Sequence, residues 1–167
     1  FDGMVVRTNT PEIRSARKDI IELLIARHPQ ECLTCSRNGS CELQSLSYQY
    51  GIRETRLKGK VKEDEKDFSS PALMRDPAKC IVCGRCVRMC SSVQAVGALG
   101  FANRGLNTTV GPAFEGELND SPCVACGQCS RVCPVAAIEE QDHIERVEAA
   151  LADPDKHVVV QVAPAVR

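Results

Sequence analysis

The chain has 167 residues, a formal net charge of −1, 43% hydrophobic and 4% aromatic side chains, and 11 cysteines. The charge balance excludes a nucleic-acid binder held by bulk electrostatics, and no run of about 18 apolar residues is present to cross a bilayer as a helix. With no Trp, two Tyr and four Phe, the large side chains that usually carry burial are scarce, so something besides an apolar core has to hold the fold.

The first stretch, FDGMVVRTNT, opens on Phe and has neither a cationic start nor an apolar core of signal-peptide length. It reads as part of a cytoplasmic segment of something longer, with residues 4–8 forming a short strand. Thr10 then suits an N-cap, with Pro11 at the first helical position. Ile13, Ala16, Ile20 and Leu23 recur at helical spacing opposite Arg14, Lys18 and Glu22, which predicts an amphipathic helix. It should stop near His28, because Pro29 disfavours helical geometry in the residue before it. Cys32, Cys35 and Cys41 follow in a loop, and a second short helix is expected over 41–50, stopped by Gly51.

Residues 58–70 (KGKVKEDEKDFSS) are dense in charge, which marks an exposed linker in which the acidic stretch 63–67 is simply solvated. Beyond it lies a repeat. CIVCGRCVRMC from Cys80 and CVACGQCSRVC from Cys123 share the pattern C-x2-C-x2-C-x3-C and suggest a pseudo-symmetric pair. Between them a helix and short strands at 99–101 and 109–110 are expected. A helix over 142–151 and a buried strand over 157–162 (HVVVQV) follow.

Thiolates are soft ligands for zinc or iron–sulfur cores. Two C-x2-C-x2-C-x3-C runs are the bacterial ferredoxin pattern, in which the fourth Cys of each run serves the other cluster. That assigns one 4Fe-4S cluster to Cys80, Cys83, Cys86 and Cys133, and a second to Cys123, Cys126, Cys129 and Cys90. Pro134 follows the second run as the pattern asks, whereas Ser91 follows the first. The alternative is a zinc-stabilised structural module, since zinc ribbons also use C-x2-C pairs. Disulfides are disfavoured by the odd cysteine count and the lack of a secretory context.

The first cluster of cysteines has three members and lacks a fourth ligand. His28 precedes it in the pattern H-x3-C-x2-C-x5-C. On position alone a His at a helix end is a C-terminal cap favoured by the helix dipole. With the two ferredoxin runs downstream, however, His28, Cys32, Cys35 and Cys41 resemble a one-His, three-Cys motif. It is shared by the large iron–sulfur subunit of respiratory complex I, NAD-dependent formate dehydrogenases and FeFe-hydrogenases. The resemblance implies that these four residues hold a third 4Fe-4S cluster. VVVQVAPAVR (158–167) resembles the segment that opens the catalytic domain of FeFe-hydrogenases, and FDGMVVRTNTPEI resembles the last strand of a plant-type 2Fe-2S domain.

The resemblance therefore implies the iron–sulfur relay segment of an FeFe-hydrogenase subunit, in a multi-subunit, NAD-linked, bifurcating enzyme. The 2Fe-2S cluster and the catalytic di-iron cluster are then expected in flanking domains, and other iron–sulfur and flavin subunits and ferredoxin as partners. The equivalent segment of a formate dehydrogenase or complex I subunit is the alternative. The expected fold is α+β: the end of a 2Fe-2S domain (1–10), a one-His, three-Cys domain (11–60), a linker (61–75), a two-cluster ferredoxin-like domain with a pseudo-two-fold repeat (76–153), and the start of a further domain (154–167).

No phosphate-cradling loop, Ser/His/Asp set or carboxylate pair points to catalysis within the chain, so its role would be electron transfer. A neutral imidazole in place of a thiolate should make the His28 cluster easier to reduce. Three oxidised cores on eleven thiolates bring the formal charge to about −6. Arg85, Arg88 and Arg131 beside the cysteines either offset some of that charge or are merely solvated. His143 is read as part of a charged helix face, and His157 as a strand end.

Overall fold

The computed structural model describes residues 1–164. Helix α1 (Pro11–Ala26) begins as its sequence dictates: Thr10 is extended, and its side chain accepts the Ile13 N–H at 3.3 Å. Pro11 occupies the first turn, where a missing N–H costs nothing. The buried face differs from the expected stripe. Ile21 and Ala26 are buried, while Ile20 and Leu23 are both 57% exposed. Glu22, expected among the solvated residues, is 2% exposed, because Arg56 reaches over from beyond the second helix and sets Nε 2.8 Å from its carboxylate. A periodicity count cannot see a counter-ion that arrives from 34 residues away.

Helix α2 (Glu42–Gln49) has Cys41 as N-cap and Tyr50 as C-cap, and Gly51 follows at φ +64°. It packs on α1 through Ile21, Leu43 and Ile52, and this core also takes in Val135 and Ala137 from the far end of the chain. The Glu42 N–H donates to the Pro134 carbonyl at 3.0 Å. The expected one-His, three-Cys and ferredoxin-like regions thus share a core across the linker.

That linker is shorter than the charge run. Residues 58–60 and 63–66 are exposed, but Asp67 and Ser70 are buried. Asp67 bridges Arg75 through paired backbone hydrogen bonds of 2.8 and 2.9 Å, and its carboxylate accepts the N–H groups of Ser69 and Leu118, each at 3.0 Å.

Strand β1 (Leu73–Arg75) pairs antiparallel with β4 (Ile138–Glu140), Leu73 opposite Glu140; β2 (Gly100–Ala102) pairs likewise with β3 (Thr109–Gly111). Between them lie α3 (Arg85–Arg88), which runs on into a wide turn over Met89–Val93, and α4 (Gln128–Val132). The second core gathers Leu73, Leu99, Val110, Leu118 and Ile138 around Cys86 and Cys129. The two short strands at 99–101 and 109–110 and the helix expected over 142–151, here α5 (Ile144–Ala152), are borne out.

Two expected strands are absent. Residues 4–8 and 157–162 pair with nothing among the described residues, and Val5, Val159 and Val160 are 83%, 76% and 82% exposed. Apolar β-branched residues make a strand only where an edge is available to receive it. His157 is exposed accordingly, and the last three residues of 158–167 lie outside the described part. The accessible surface is 12165 Å², against about 8,000 Å² for a compact monomer of this size. The protein is a small mixed helix–strand fold with little apolar interior.

Candidate metal centres

Ten of the cysteines line three cavities, and a fourth cavity brings His28 beside Cys80. Cys80, Cys83, Cys86 and Cys133 share one, walled by Ile81, Val110, Val135 and Ile138. Cys90, Cys123, Cys126 and Cys129 share another, walled by Leu73, Leu99 and Leu118. The structure therefore brings Cys133 to the first run and Cys90 to the second. In the third cavity His28, Cys32 and Cys41 come together at the junction of α1 and α2. Cys35 is not part of that lining; its sulfur lies 4.0 Å from Lys79 Nζ.

Backbone geometry explains why the two C-x2-C loops close around cavities. Val82 and Gly84 have φ of +57° and +72°, and Ala125 and Gly127, at the same places in the second run, have +52° and +73°. A β-branched residue in the left-handed region is a costly conformation. The left-handed backbone recurs at the same position of both runs, at Val82 and at Ala125. The turn brings the Val82 N–H to 3.4 Å from Cys80 Sγ. At Gly84 a Cβ would stand 2.6 Å from Cζ, the outer end of the exposed Phe101 ring, so a side chain there has to push that ring aside.

The thiols are held in surroundings that oppose their ionisation. Burial pushes Cys86 up to about 12, helped by the neighbouring Cys80, Cys133 and Cys83, and pushes Cys129 up to about 11, helped by Cys123. Burial also raises Cys80. Such groups become thiolates when a positive centre compensates them, with release of protons.

His28 has the corresponding feature in nitrogen. Its Nδ1 lies 2.9 Å from the Pro29 carbonyl, the geometry of an N–H donor, while Nε2 is buried with no hydrogen-bond partner. Burial holds its pKa below the ordinary value and so favours the neutral ring, against the opposing pull of the Pro29 carbonyl. A buried nitrogen lone pair without a partner fits a metal ligand, with the Pro29 carbonyl fixing the tautomer from behind. The same observation leaves the capping role inadequate as an account of His28.

Other candidates resolve simply. Arg85 makes two contacts with the Glu42 carboxylate, at 2.5 and 2.7 Å, tying the residue after Cys41 to the second site's loop. Arg88 and Arg131 are exposed. His143 precedes α5 rather than lying on a helix face, with Nε2 3.0 Å from the Pro71 carbonyl. Sequence reasoning missed Lys79 and its buried partner Asp76, since a lysine before a cysteine carries no signal of where its side chain turns. All eleven thiols are free, and among the described residues no three His, Cys, Asp or Glu converge closely enough to hold a single metal ion.

Comparison with known proteins agrees with the cysteine pattern. Residues 17–56 match the NADH-ubiquinone oxidoreductase-G iron-sulfur binding region, and residues 79–145 match the 4Fe-4S dicluster domain. The chain is 48% identical to the NADP-reducing hydrogenase subunit HndD of Solidesulfovibrio fructosivorans, over 99% of its own length and 28% of that protein's. It is 41% identical to iron hydrogenase 1 of Clostridium pasteurianum, over 99% of its length and 29% of the relative's. It therefore spans little more than a quarter of these curated relatives. Among solved structures it superposes on a chain of the NAD+-reducing NiFe-hydrogenase in the H2-reduced state, with a TM-score of 0.73 at 30% identity, covering 80% of this chain and 57% of that one. The resemblance read from the His28 motif and the two ferredoxin runs is borne out.

Proposed function

We propose, from the premise that the chain is a relative of hydrogenase subunits along their iron–sulfur segment, that it is an electron relay built on three 4Fe-4S clusters. The observation that carries this is the partition of the thiols among three cavities, each with the set that the spacing anticipates apart from Cys35. The ligand sets are His28, Cys32, Cys35 and Cys41; Cys80, Cys83, Cys86 and Cys133; and Cys123, Cys126, Cys129 and Cys90. Each cluster, when bound, takes up or returns one electron.

The chain's own residues do the rest. Leu73, Leu99, Leu118, Val110 and Ile138 cover Cys86 and Cys129 while Cys83 and Cys126 stay exposed, the Val82 N–H supports Cys80, and the Pro29 carbonyl orients His28. The Glu42–Pro134 backbone bond and the Glu42–Arg85 pair hold the first site's last thiol beside the second site's loop. The two runs form a pseudo-two-fold pair within residues 76–153, and residues 11–60 form the first site, that of His28.

The parent activity follows from the relatives. Those named above are hydrogenases, one of them NADP-reducing, and their match runs through both ends of this chain, including residues 158–164. We assign the segment to an FeFe-hydrogenase subunit of a cytoplasmic, NAD(P)-linked complex. Its partners are flavin and iron–sulfur subunits and ferredoxin, and flanking domains hold the 2Fe-2S and di-iron clusters. No described helix is long and apolar enough to cross a membrane. Analysis of anaerobically purified protein tests the reading. It predicts about 12 iron and 12 sulfide per chain; about 8 of each removes the His28 site, and two or three zinc without sulfide overturns the relay altogether.

A further inference from the structure

Lys79 immediately precedes Cys80 of the second site, yet its side chain turns to the first, with Nζ 4.0 Å from Cys35 Sγ. The side chain is 12% exposed and lies 3.9 Å from Asp76 Oδ2. Asp76 is itself fixed: its side chain is 3% exposed, its other oxygen accepts the Ala78 N–H at 3.1 Å, and its own N–H donates to the Ala137 carbonyl at 2.8 Å. Lys66 approaches the same carboxylate at 3.7 Å but is 49% exposed, so water screens its charge. The arrangement sets one shielded positive charge beside one thiol, on a rigid support.

We propose that Lys79 sets the reduction potential of the first site, its ammonium at Cys35 favouring the reduced, more negative state. This rests on the reading that His28, Cys32, Cys35 and Cys41 hold a cluster. Reduction adds one electron there, supplied by the relay; no bond forms or breaks, and Lys79 carries its charge before and after. Coulomb attraction over a few ångströms, with little water between, stabilises the added charge. The ammonium thus acts in the same direction as the neutral imidazole of His28, and the two together distinguish this site from the all-thiolate pair.

The test is a potentiometric EPR titration of the full protein that carries this chain, with its clusters, in wild-type form and as K79Q and K79R. The first-site signal is the one altered by His28→Cys. The proposal expects a lower midpoint for that signal in K79Q and a near-normal one in K79R, which keeps the charge. A merely structural disturbance shifts K79R along with K79Q, and that result, or an unchanged midpoint in K79Q, overturns the proposal. If the wild type has no signal that answers to His28→Cys, the first-site reading falls and the role of Lys79 with it.

Discussion

His28 presents a buried Nε2 with no partner, and a buried acceptor left unsatisfied costs about 1–3 kcal/mol unless something binds it. In the proposed first site that partner is a cluster iron. His28→Cys should therefore keep the cluster and lower its potential, because a negative thiolate replaces a neutral ring; an unshifted EPR midpoint would remove His28 from the ligands. Gly84 supplies an independent test of loop geometry. Gly84→Ala has to accept both a left-handed backbone and a contact of 2.6 Å with Phe101, whereas Gly127→Ala meets nothing within 4 Å. Thermal unfolding should show a loss of about 1–3 kcal/mol for each from the left-handed backbone, with a small excess for Gly84→Ala as the exposed Phe101 ring is pushed aside. Equal losses would mean that Phe101 yields freely.

Among the elements, the segment joining the two regions shows how local charge misleads. Burial alone would raise the Asp67 pKa, but the Ser69 hydroxyl and N–H, the Leu118 N–H and the Arg75 guanidinium outweigh it and hold Asp67 below its ordinary value. A carboxylate with a depressed pKa adds stability that is present above its unfolded value and is lost as pH falls through the folded one. Asp67→Asn should cost about 1–2 kcal/mol near neutrality and flatten the loss of stability on acidification, measured by denaturant unfolding across the acid range. An unchanged acid slope would show that Asp67 contributes no such term.

Sequence pattern located the helices α1, α2 and α5, the short strands near 100 and 110 and all three cysteine groups, because caps, prolines and ligand spacing are written over a few residues. It failed where a distant residue decides. Arg56 turned Glu22 inward, Arg75 and Leu118 captured Asp67, and residues 4–8 and 157–162 lacked an edge to pair with. Lys79 was invisible for the same reason, since its meaning depends on Cys35, 44 residues earlier.

At the scale of the whole molecule, two small cores with cysteines built into them leave the fold dependent on what the cysteines hold. Binding at sites that do not exist in the unfolded chain is folding free energy, and the thiols of Cys86 and Cys129 are buried where such binding would occur. Chelation or oxidative loss of the clusters should unfold residues 76–140, seen as loss of far-ultraviolet circular dichroism and of amide protection there. A cluster-free sample with retained dichroism would contradict this.

In the proposed ligand partition Cys133 crosses to the first ferredoxin run. The most direct measurement is iron content in two double variants, because residues that serve one cluster lose it together and residues that serve different clusters lose both. Cys80→Ala with Cys133→Ala should remove about 4 of 12 iron atoms, no more than either change alone, and Cys123→Ala with Cys133→Ala should remove about 8. The reverse pattern would mean that each run keeps its own four cysteines, and that the partition drawn from the cavities is wrong.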